Sequence, residues 1–295
     1  MNSQILAMKL LVDGVPEHYN LPWHWAWEHQ FSNPLFPAFQ WKSYPAGTGA
    51  MLKDLRERKL DLAILLTEGA IRDIHQGNNS RIIQFHVDSA LRWGIHVGVN
   101  STFQGEEDLR KAKFAISRYT SGSHLMAYVW AKKWNRELDD ERDFVLVENL
   151  EGARKALSEN PDLVFLWERF TTKHLVEQGE FKYLGDVYTP WPSFVVAARE
   201  EVLLHASEEV QALLEHVNEL TRNLSRRNDV IDILCRKYRM KELDAMEWFT
   251  ALKWNMGRET SIEELNQILQ SLGEMGFVDK NTEALDYFQI IYPVE

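Results

Sequence analysis

Short apolar runs alternate with amphipathic segments along the first two-thirds of the chain. The runs are rich in Val, Ile, Leu and Phe and predict strands at Leu10–Val15, Phe39–Tyr44, Asp61–Leu66, Ile82–His86, Ile95–Val99, Phe114–Ser117, Phe144–Val147, Leu163–Trp167 and Phe194–Ala198. Most of them are continuous rather than alternating, which is typical of strands covered on both faces. Helical patterns lie between several of them, at Gly49–Arg58, Ser123–Lys133 and Leu150–Ser158. This alternation predicts an α/β fold with mainly parallel sheets.

The last third of the chain has a helical pattern only. Apolar residues recur at helical spacing from Val210 to Leu224, and Val230–Leu234 indicates a second helix. Ser261 and Glu264 have the spacing of a capping box, and the helix that follows them is expected to end near Gly273 and Gly276. We expect these helices to pack on the preceding α/β lobe. A winged helix over residues 226–280 is the alternative, and the charge of the chain opposes it.

Composition and charge exclude several classes of protein. Of the 295 residues, 45% are apolar and 26% charged, as in ordinary globular proteins. With 33 basic and 44 acidic residues the net charge is −11, which argues against binding to nucleic acid or to an anionic membrane surface. The single cysteine, Cys235, excludes an intrachain disulfide and a cysteine-rich metal site.

The N-terminal pattern bears on localisation. Met8–Val15 is interrupted by Lys9 and Asp13, so it indicates a buried strand rather than the apolar core of a secretory signal. The longest apolar runs are far shorter than the ~20 residues of a membrane helix, so we expect no direct membrane insertion. We therefore expect a cytoplasmic protein, or a periplasmic one if an export signal has been removed.

Residues with binding chemistry follow the predicted strands, and ligands of open parallel sheets bind beyond the carboxyl ends of strands. Gly-Thr-Gly at 47–49 and Ser-Gly-Ser at 121–123 each open a predicted helix. Free N–H groups at such a turn, with the hydroxyls of Thr48, Ser121 and Ser123, suit a carboxylate, sulfonate or phosphate, and Arg118 can hold an anionic group. The alternative is that both turns only cap their helices. Neither is a Walker A loop or a dinucleotide fingerprint.

Three tryptophans and three glutamates occupy the same kind of position. Trp23, Trp167 and Trp191 can form flat walls for a ring or a cation, or can be core residues. Three carboxylates, at Glu17, Glu68 and Glu168, can accept from an amine or a ring N–H, or can be solvated loop acids. This set predicts a small organic ligand, such as a nitrogen heterocycle or an organic anion, rather than a bare inorganic anion.

The sequence gives less support for a metal site or a catalytic site than for a ligand-binding site. His24 and Glu28 lie at i,i+4 and are flanked by His18 and His29, but there is no His-Glu-x-x-His motif. No Gly-x-Ser-x-Gly elbow occurs, and Cys235 lies in a helical pattern typical of a small buried side chain. We therefore predict no metal, no cofactor and no catalytic residues.

Seven segments, in this order, carry a resemblance: VDGVPEHYNLPWHWAWE, YPAGTGAMLKDLRERKLDLAILLTEG, WGIHVGVNS, ISRYTSGSHLMA, VENLEGARKAL, LVFLWERFTTK and TPWPSFVVA. They resemble the type II periplasmic-binding-protein superfamily, in its nitrate-, sulfonate- and thiamine-pyrimidine-related branch. Within that branch they are most similar to an uncharacterised bacterial and fungal subgroup described as substrate-binding-protein-like. The resemblance covers 10–198 well and the C-terminal helices in outline.

The resemblance implies two α/β lobes, 1–96 with 194–295 and 97–193, joined by crossings near Gly94–Val97 and Thr189–Phe194 and closing on one ligand. It places His96 at the hinge. The ligand-binding residues that we predict are Glu17, His18, Trp23, Thr48, Thr67, Glu68, His96, Arg118, Ser121, Ser123, Trp167, Glu168 and Trp191.

Two functions remain open. The first is a binding protein that holds a small organic ligand, either for an uptake system with the membrane component of an ABC transporter as partner, or as a cytosolic carrier or sensor. The second is a cytosolic enzyme of pyrimidine or thiamine-precursor metabolism on the same fold. The pyrimidine-forming enzymes of the superfamily use a cysteine-rich iron motif, which a chain with only Cys235 cannot supply. Neither His18 nor His96 has an obvious nucleophile beside it, so binding is favoured.

Overall fold

A computed structural model describes residues 9–29, 39–44, 47–119, 121–259 and 261–289. Within these ranges the strands are β1 (Leu10–Gly14), β2 (Phe39–Ser43), β3 (Leu62–Leu66), β4 (Ser80–Val87), β5 (Arg92–Gly98), β6 (Phe114–Ile116), β7 (Phe144–Leu146), β8 (Val164–Glu168), β9 (Phe181–Tyr188) and β10 (Phe194–Arg199). The α-helices are α1 (Leu21–His29), α2 (Thr48–Arg56), α3 (Thr67–His75), α4 (Gly122–Lys133), α5 (Leu150–Glu159), α6 (Arg169–Glu177), α7 (Glu200–His205), α8 (Ser207–Leu224), α9 (Val230–Tyr238), α10 (Glu242–Ala251) and α11 (Ile262–Glu274).

The chain divides into two compact units. The first unit comprises Met1–Ser89 and Trp191–Glu295, and the second comprises Ala90–Pro190. The first boundary lies seven residues before the predicted one at 96/97, because β5 pairs along both sides with β8 and β9 and so lies wholly in the second sheet. His96 is therefore a residue of a central strand of the second unit. The second boundary, between Pro190 and Trp191, lies three residues before the predicted one at 193/194.

The sheet of the first unit has the strand order β2-β1-β3-β10-β4. Strands β1, β2 and β3 are mutually parallel, whereas β10 runs antiparallel to both of its neighbours. Four of the five strands thus share one direction, and the exception is the strand through which the chain returns from the second unit. The buried residues of β3 and β10 are Leu, Ile, Val, Ala and Phe, as a strand covered on both faces requires.

The C-terminal third of the chain belongs to the first unit. Helix α8 packs against α1. The outer edge of β4 is covered by C-terminal segments, through bridges of Val87 with Trp254 and of Ile82 with Phe288. Covering an edge strand in this way removes exposed backbone groups that would otherwise pair with another chain. Helix α11 begins at the predicted capping box, in which Ser261 Oγ accepts from the Glu264 N–H at 3.1 Å.

The second unit repeats the mixed arrangement with the order β7-β6-β8-β5-β9. Here β5 is the antiparallel strand, between β8 and β9. One part of its core is formed by Phe165, Phe181, Leu157 and Leu175, which are 0–2% exposed. Helix α5 starts at the Asn149 side chain, which accepts from the Gly152 N–H at 2.9 Å.

Six of the described strands and α-helices were not predicted individually from the sequence: β9, α1, α3, α6, α7 and α10. Strand β9 carries Lys182, Gly185 and Asp186 and is only partly buried, because it is the edge strand of its sheet. Helices α1, α3 and α6 begin directly at or soon after strand ends, where the sequence analysis expected loops. Consequently Trp23, Glu68 and Arg169 are helical residues, and their side chains are positioned by helix packing rather than by loop geometry.

Candidate functional site

A buried carboxyl and a buried indole meet at the start of α3. Glu68 is the second residue of that helix, and its Oε2 accepts from the Trp191 Nε1–H at 3.0 Å. The chain segment that carries Trp191 is fixed by Thr67, whose Oγ1 donates to the Pro192 carbonyl at 2.6 Å and whose N–H donates to the Ser193 carbonyl at 3.1 Å. We call Thr67, Glu68 and Trp191 the Glu68 site. It brings together Glu68 and Trp191, two of the predicted ligand-binding residues, which lie 123 residues apart in the chain.

Burial dominates the electrostatics of the Glu68 site. Glu68 is 6% exposed, and its removal from water raises the pKa of its carboxyl from 4.5 to about 7, against the lowering effects of its own backbone N–H and of Trp191. Its Oε1 is buried and makes no hydrogen bond with the described residues. The site therefore holds one oxygen that can accept from a ligand when ionised, or donate when protonated.

Thr48 lies beside the Glu68 site, at the start of α2. Its Oγ1 accepts from the Leu66 N–H at 3.5 Å, a long hydrogen bond. A Cβ added to Gly69 would come within 2.8 Å of the Thr48 methyl, so α2 and α3 approach closely because position 69 is glycine. The preceding Gly47 has φ 75°, the left-handed conformation that glycine adopts most easily. Thr48 is half-buried.

The residues after β1 form a buried aromatic group. His18 is 5% exposed, and its ring lies 4.5 Å from that of Trp248 and 4.7 Å from that of Tyr19. Burial lowers the pKa of His18 to about 3, so its ring is neutral. Tyr19 in turn lies 4.9 Å from the ring of Phe194, which follows the Trp191 segment. Glu17 is half-buried and precedes the 3-10 turn at His18–Asn20.

Trp23 has the surroundings of a core residue. It is 1% exposed, and its indole stacks on Trp41 at 6.1 Å with an interplanar angle of 20°. His24, one residue on, lies with its Nδ1 2.5 Å from the Tyr238 hydroxyl. Across the described residues, no group of three or more His, Cys, Asp and Glu side chains is arranged to hold a metal ion.

The Ser-Gly-Ser turn of the second unit is a network of buried hydroxyls. Ser121 is the N-cap of α4, and its Oγ lies 3.0 Å from Ser123 Oγ. Ser123 Oγ accepts from the Ser117 N–H at 3.1 Å, and Ser121 Oγ donates to the Arg118 carbonyl at 2.7 Å. The two predicted hydroxyls therefore bind each other and the backbone. Arg118 contributes its carbonyl to this network and is itself an exposed residue.

Trp167 and Glu168 lie at the carboxyl end of β8, and His96 lies on the neighbouring strand β5. Glu168 Oε2 accepts from both the N–H and the hydroxyl of Thr171 at 2.7 Å, which caps α6. Trp167 is half-buried and stacks on Phe165 at 5.2 Å.

His96 is fully buried in β5. Its Nδ1 lies 3.3 Å from the Phe165 carbonyl, and its Nε2 lies 3.0 Å from Thr172 Oγ1. Burial lowers the pKa of His96 to about 4, so the ring is a neutral link between β5, β8 and α6.

Sequence reasoning missed a charged cluster in the second unit. Asp186 Oδ2 accepts from Arg92 Nε at 2.6 Å, and Arg169 Nε lies 3.8 Å from Asp186 Oδ1. The Arg169 guanidinium also lies 4.0 Å from the centre of the Tyr183 ring. Arg169 could have been found from the sequence, because it directly follows the predicted residues Trp167 and Glu168. Asp186 and Tyr183 could not, because they belong to β9, whose polar pattern did not predict a strand.

The architecture of both units defines the fold. Two mixed five-stranded sheets with flanking helices form the fold of the type II periplasmic binding proteins, which confirms the resemblance stated above. Residues 93–187, about a third of the chain, match the model of a family described as Ca3427-like PBP. A search of the curated proteins gave no match. None of the helices in the described ranges is long and apolar enough to cross a membrane.

Three solved structures show how far the fold match extends. The CA3427 gene product of Candida albicans has a TM-score of 0.83 and 24% identity, over 94% of this chain and 93% of its own. The alkanesulfonate-binding protein SsuA from Xanthomonas axonopodis pv. citri, bound to MOPS, has a TM-score of 0.76 and 13% identity over 96% and 98%. A ligand-binding component of an ABC-type import system from Staphylococcus aureus, with zinc bound, has a TM-score of 0.73 and 14% identity over 96% and 97%.

Proposed function

We propose that this protein is a solute-binding protein that holds a small organic molecule at the Glu68 site. The fold supports a solute-binding role, and the observation that carries the proposal is Glu68 itself. A carboxyl that is 6% exposed, with one oxygen held by Trp191 and the other without a hydrogen bond among the described residues, is costly to the folded state. A ligand that donates an N–H to Oε1 removes that cost.

The chemistry of the site favours an organic ligand with a nitrogen donor. A bare inorganic anion would face the Glu68 carboxylate without a compensating cation, and an arrangement of that kind costs about 2–5 kcal/mol when buried. Trp191 adds an indole beside the carboxyl, which suits a flat or apolar body. Thr48, which follows β2, and Thr67, which follows β3, supply hydroxyls next to Glu68. Nitrate-like ligands are therefore disfavoured, and a nitrogen heterocycle fits best.

Several other predicted residues have roles in packing or capping. Trp23 packs in the core, Glu168 caps α6, and Ser121 and Ser123 bind each other. The ligand-contacting set that we propose in the first unit is Glu17, His18, Thr48, Thr67, Glu68 and Trp191.

We propose the membrane component of an ABC importer as the protein partner. The support is the fold, which this chain shares with a ligand-binding component of an ABC-type import system over nearly its whole length. A pull-down from membranes of the source organism in the presence and absence of the co-purified small molecule tests this partner.

Native mass spectrometry of freshly purified protein tests the binding proposal. We expect a small molecule that co-purifies with the wild type and is lost from Glu68→Gln and from Trp191→Phe. Trp25→Phe is the matched control and should retain the molecule, because Trp25 is a half-buried tryptophan in the middle of α1 that stacks on His29 and is not in the proposed ligand-contacting set. Wild-type protein without any bound molecule, and without a hit in a thermal-shift screen of metabolites, would contradict the proposal.

A further inference from the structure

We propose that the group bound at Glu68 is a cationic nitrogen: an ammonium, an amidinium, a guanidinium or a protonated ring nitrogen. This inference rests on the proposed function and narrows it from any N–H donor to a charged one. It is carried by the contrast between Glu68 and the other buried carboxyls of the chain.

Several other buried carboxyls among the described residues have a basic side chain as ion-pair partner. Asp143 lies 3.0 Å from Arg136 and 2.8 Å from Arg142. Asp61 lies 2.7 Å from Arg199. Removing a carboxylate from water costs several kcal/mol, and such arginine partners are what offset that cost. Glu68 is as deeply buried as these residues, but no described Lys, Arg or His nitrogen forms an ion pair with it. Asp13, which is 1% exposed, has no such pair in this part of the chain either, but the positive charge of Lys42 acts on it, whereas no positive charge of the protein lowers the pKa of Glu68.

The charged groups on the elements around Glu68 are engaged elsewhere. Helix α3 packs against α2, β3, β4 and β10, and β3 consists of apolar residues only. The remaining groups and their partners are Lys53 with Glu57, Asp54 with Tyr44, Arg56 with Asp73, Arg72 with the Phe277 ring, His75 with Tyr287, Arg81 with Glu200, His86 with the Tyr19 carbonyl, and Arg199 with Asp61. An ionised Glu68 therefore has no positive partner in this set, and a cationic ligand would supply one.

Two further features prepare Glu68 for such a ligand. It lies in the first turn of a nine-residue helix, where the helix dipole favours a negative charge. Trp191 holds Oε2 in place and leaves Oε1 as the acceptor, and an indole also attracts cations through its ring face. The carboxyl is protonated in much of the free protein near neutral pH, so binding a cation releases that proton to solvent.

The test uses a fixed series of probes in isothermal titration and thermal-shift assays. The cations are methylammonium, guanidinium, benzylammonium and benzamidinium, and benzamide and benzyl alcohol are their neutral counterparts. At least one cation should bind about tenfold more weakly at pH 6 than at pH 8, because the ionised fraction of a carboxyl with a pKa of about 7 changes by that factor. Titration in buffers of different ionisation enthalpy should show release of about 0.9 proton at pH 6 and about 0.1 at pH 8.

Glu68→Gln should abolish cation binding, whereas Glu208→Gln should leave it unchanged, because Glu208 is an exposed first-turn glutamate of α8. A wild type that responds to none of the cations, or equally to benzamide, or without the pH dependence, overturns the inference. If the co-purified molecule is neutral or anionic but still requires Glu68 for binding, the proposed solute-binding function stands and the inference of a cationic ligand is refuted.

Discussion

Replacing Glu68 by glutamine should make the folded protein more stable at alkaline pH, although it removes a candidate binding group. Glutamine has the same shape, and its side-chain oxygen can still accept from the Trp191 indole N–H at the observed 3.0 Å. It differs from glutamate in having no charge to bury. The change therefore isolates the electrostatic cost of an ionised carboxylate at a position that is 6% exposed.

The magnitude follows from the pKa of Glu68. Burial raises it from 4.5 to about 7, so between these values the folded protein binds more protons than the unfolded chain. Stability linked to this group is therefore fully present below pH 4.5 and is lost as the pH rises through 7. Integrated from pH 5 to pH 8 with 1.36 kcal/mol per pKa unit, the loss is about 2.5 kcal/mol. Glu68→Gln has no such loss.

Urea unfolding at pH 5 and pH 8, followed by tryptophan fluorescence, measures this difference. The free energy of unfolding of Glu68→Gln minus that of the wild type should increase by about 2.5 kcal/mol between the two pH values. The pH dependence contributed by all other titrating groups is the same in both proteins and cancels in this difference. Glu208→Gln, the same substitution at an exposed helix start, should show a change within about 0.5 kcal/mol. A pH-independent difference for Glu68→Gln, or a variant less stable than the wild type at pH 8, would refute the reasoning.

Three further predictions concern the second unit and the C-terminal helices. Gly94→Ala should destabilise by about 1–3 kcal/mol in urea unfolding, because its Cβ would lie 2.5 Å from His96 Cε1, whereas Gly105→Ala, with open space around it, should not. His96→Leu should cost about 2–3 kcal/mol at pH 8 and less at pH 5, because the buried neutral ring, with a pKa of about 4, makes the wild type lose stability as the pH falls below 6.5. Ser261→Ala should lower the free energy of unfolding by about 1 kcal/mol by removing the N-cap of α11. A variant at 94, 96 or 261 that unfolds like the wild type would contradict its own prediction.

Much of the fold could be predicted from local sequence. Short apolar runs indicated β1 to β8 and β10 to within a few residues. Most of these runs are continuous, because strands buried on both faces admit almost no polar side chains, whereas β2 has exposed polar residues at Gln40 and Lys42. The Ser261–Glu264 spacing indicated the start of α11, because a capping box depends only on two side chains three positions apart in the sequence. Strand β9 could not be predicted in this way, since an edge strand needs only partial burial and tolerates Lys182, Gly185 and Asp186.

The chemistry of individual side chains depended on tertiary contacts. From the sequence, Trp23 and Trp191 were equivalent tryptophans near strand ends, and Glu17, Glu68 and Glu168 were equivalent acids. The structure packs Trp23 on Trp41 and brings Trp191 to Glu68 across 123 residues of chain. No local pattern encodes that pairing, because it depends on how β3 and β10 lie side by side in the sheet.

The amino-acid sequence by itself determined the succession of strands and helices, the absence of a cysteine-rich site and the set of residues with binding chemistry. These properties depend on side-chain type and on neighbours within a few positions. Only the tertiary structure decided which of those residues are buried together, and burial is what moves the pKa of Glu68 to about 7 and leaves its Oε1 without a hydrogen bond in the described part of the chain. Removal from water is a property of the assembled core, so it cannot be assigned to a residue before its distant neighbours are known.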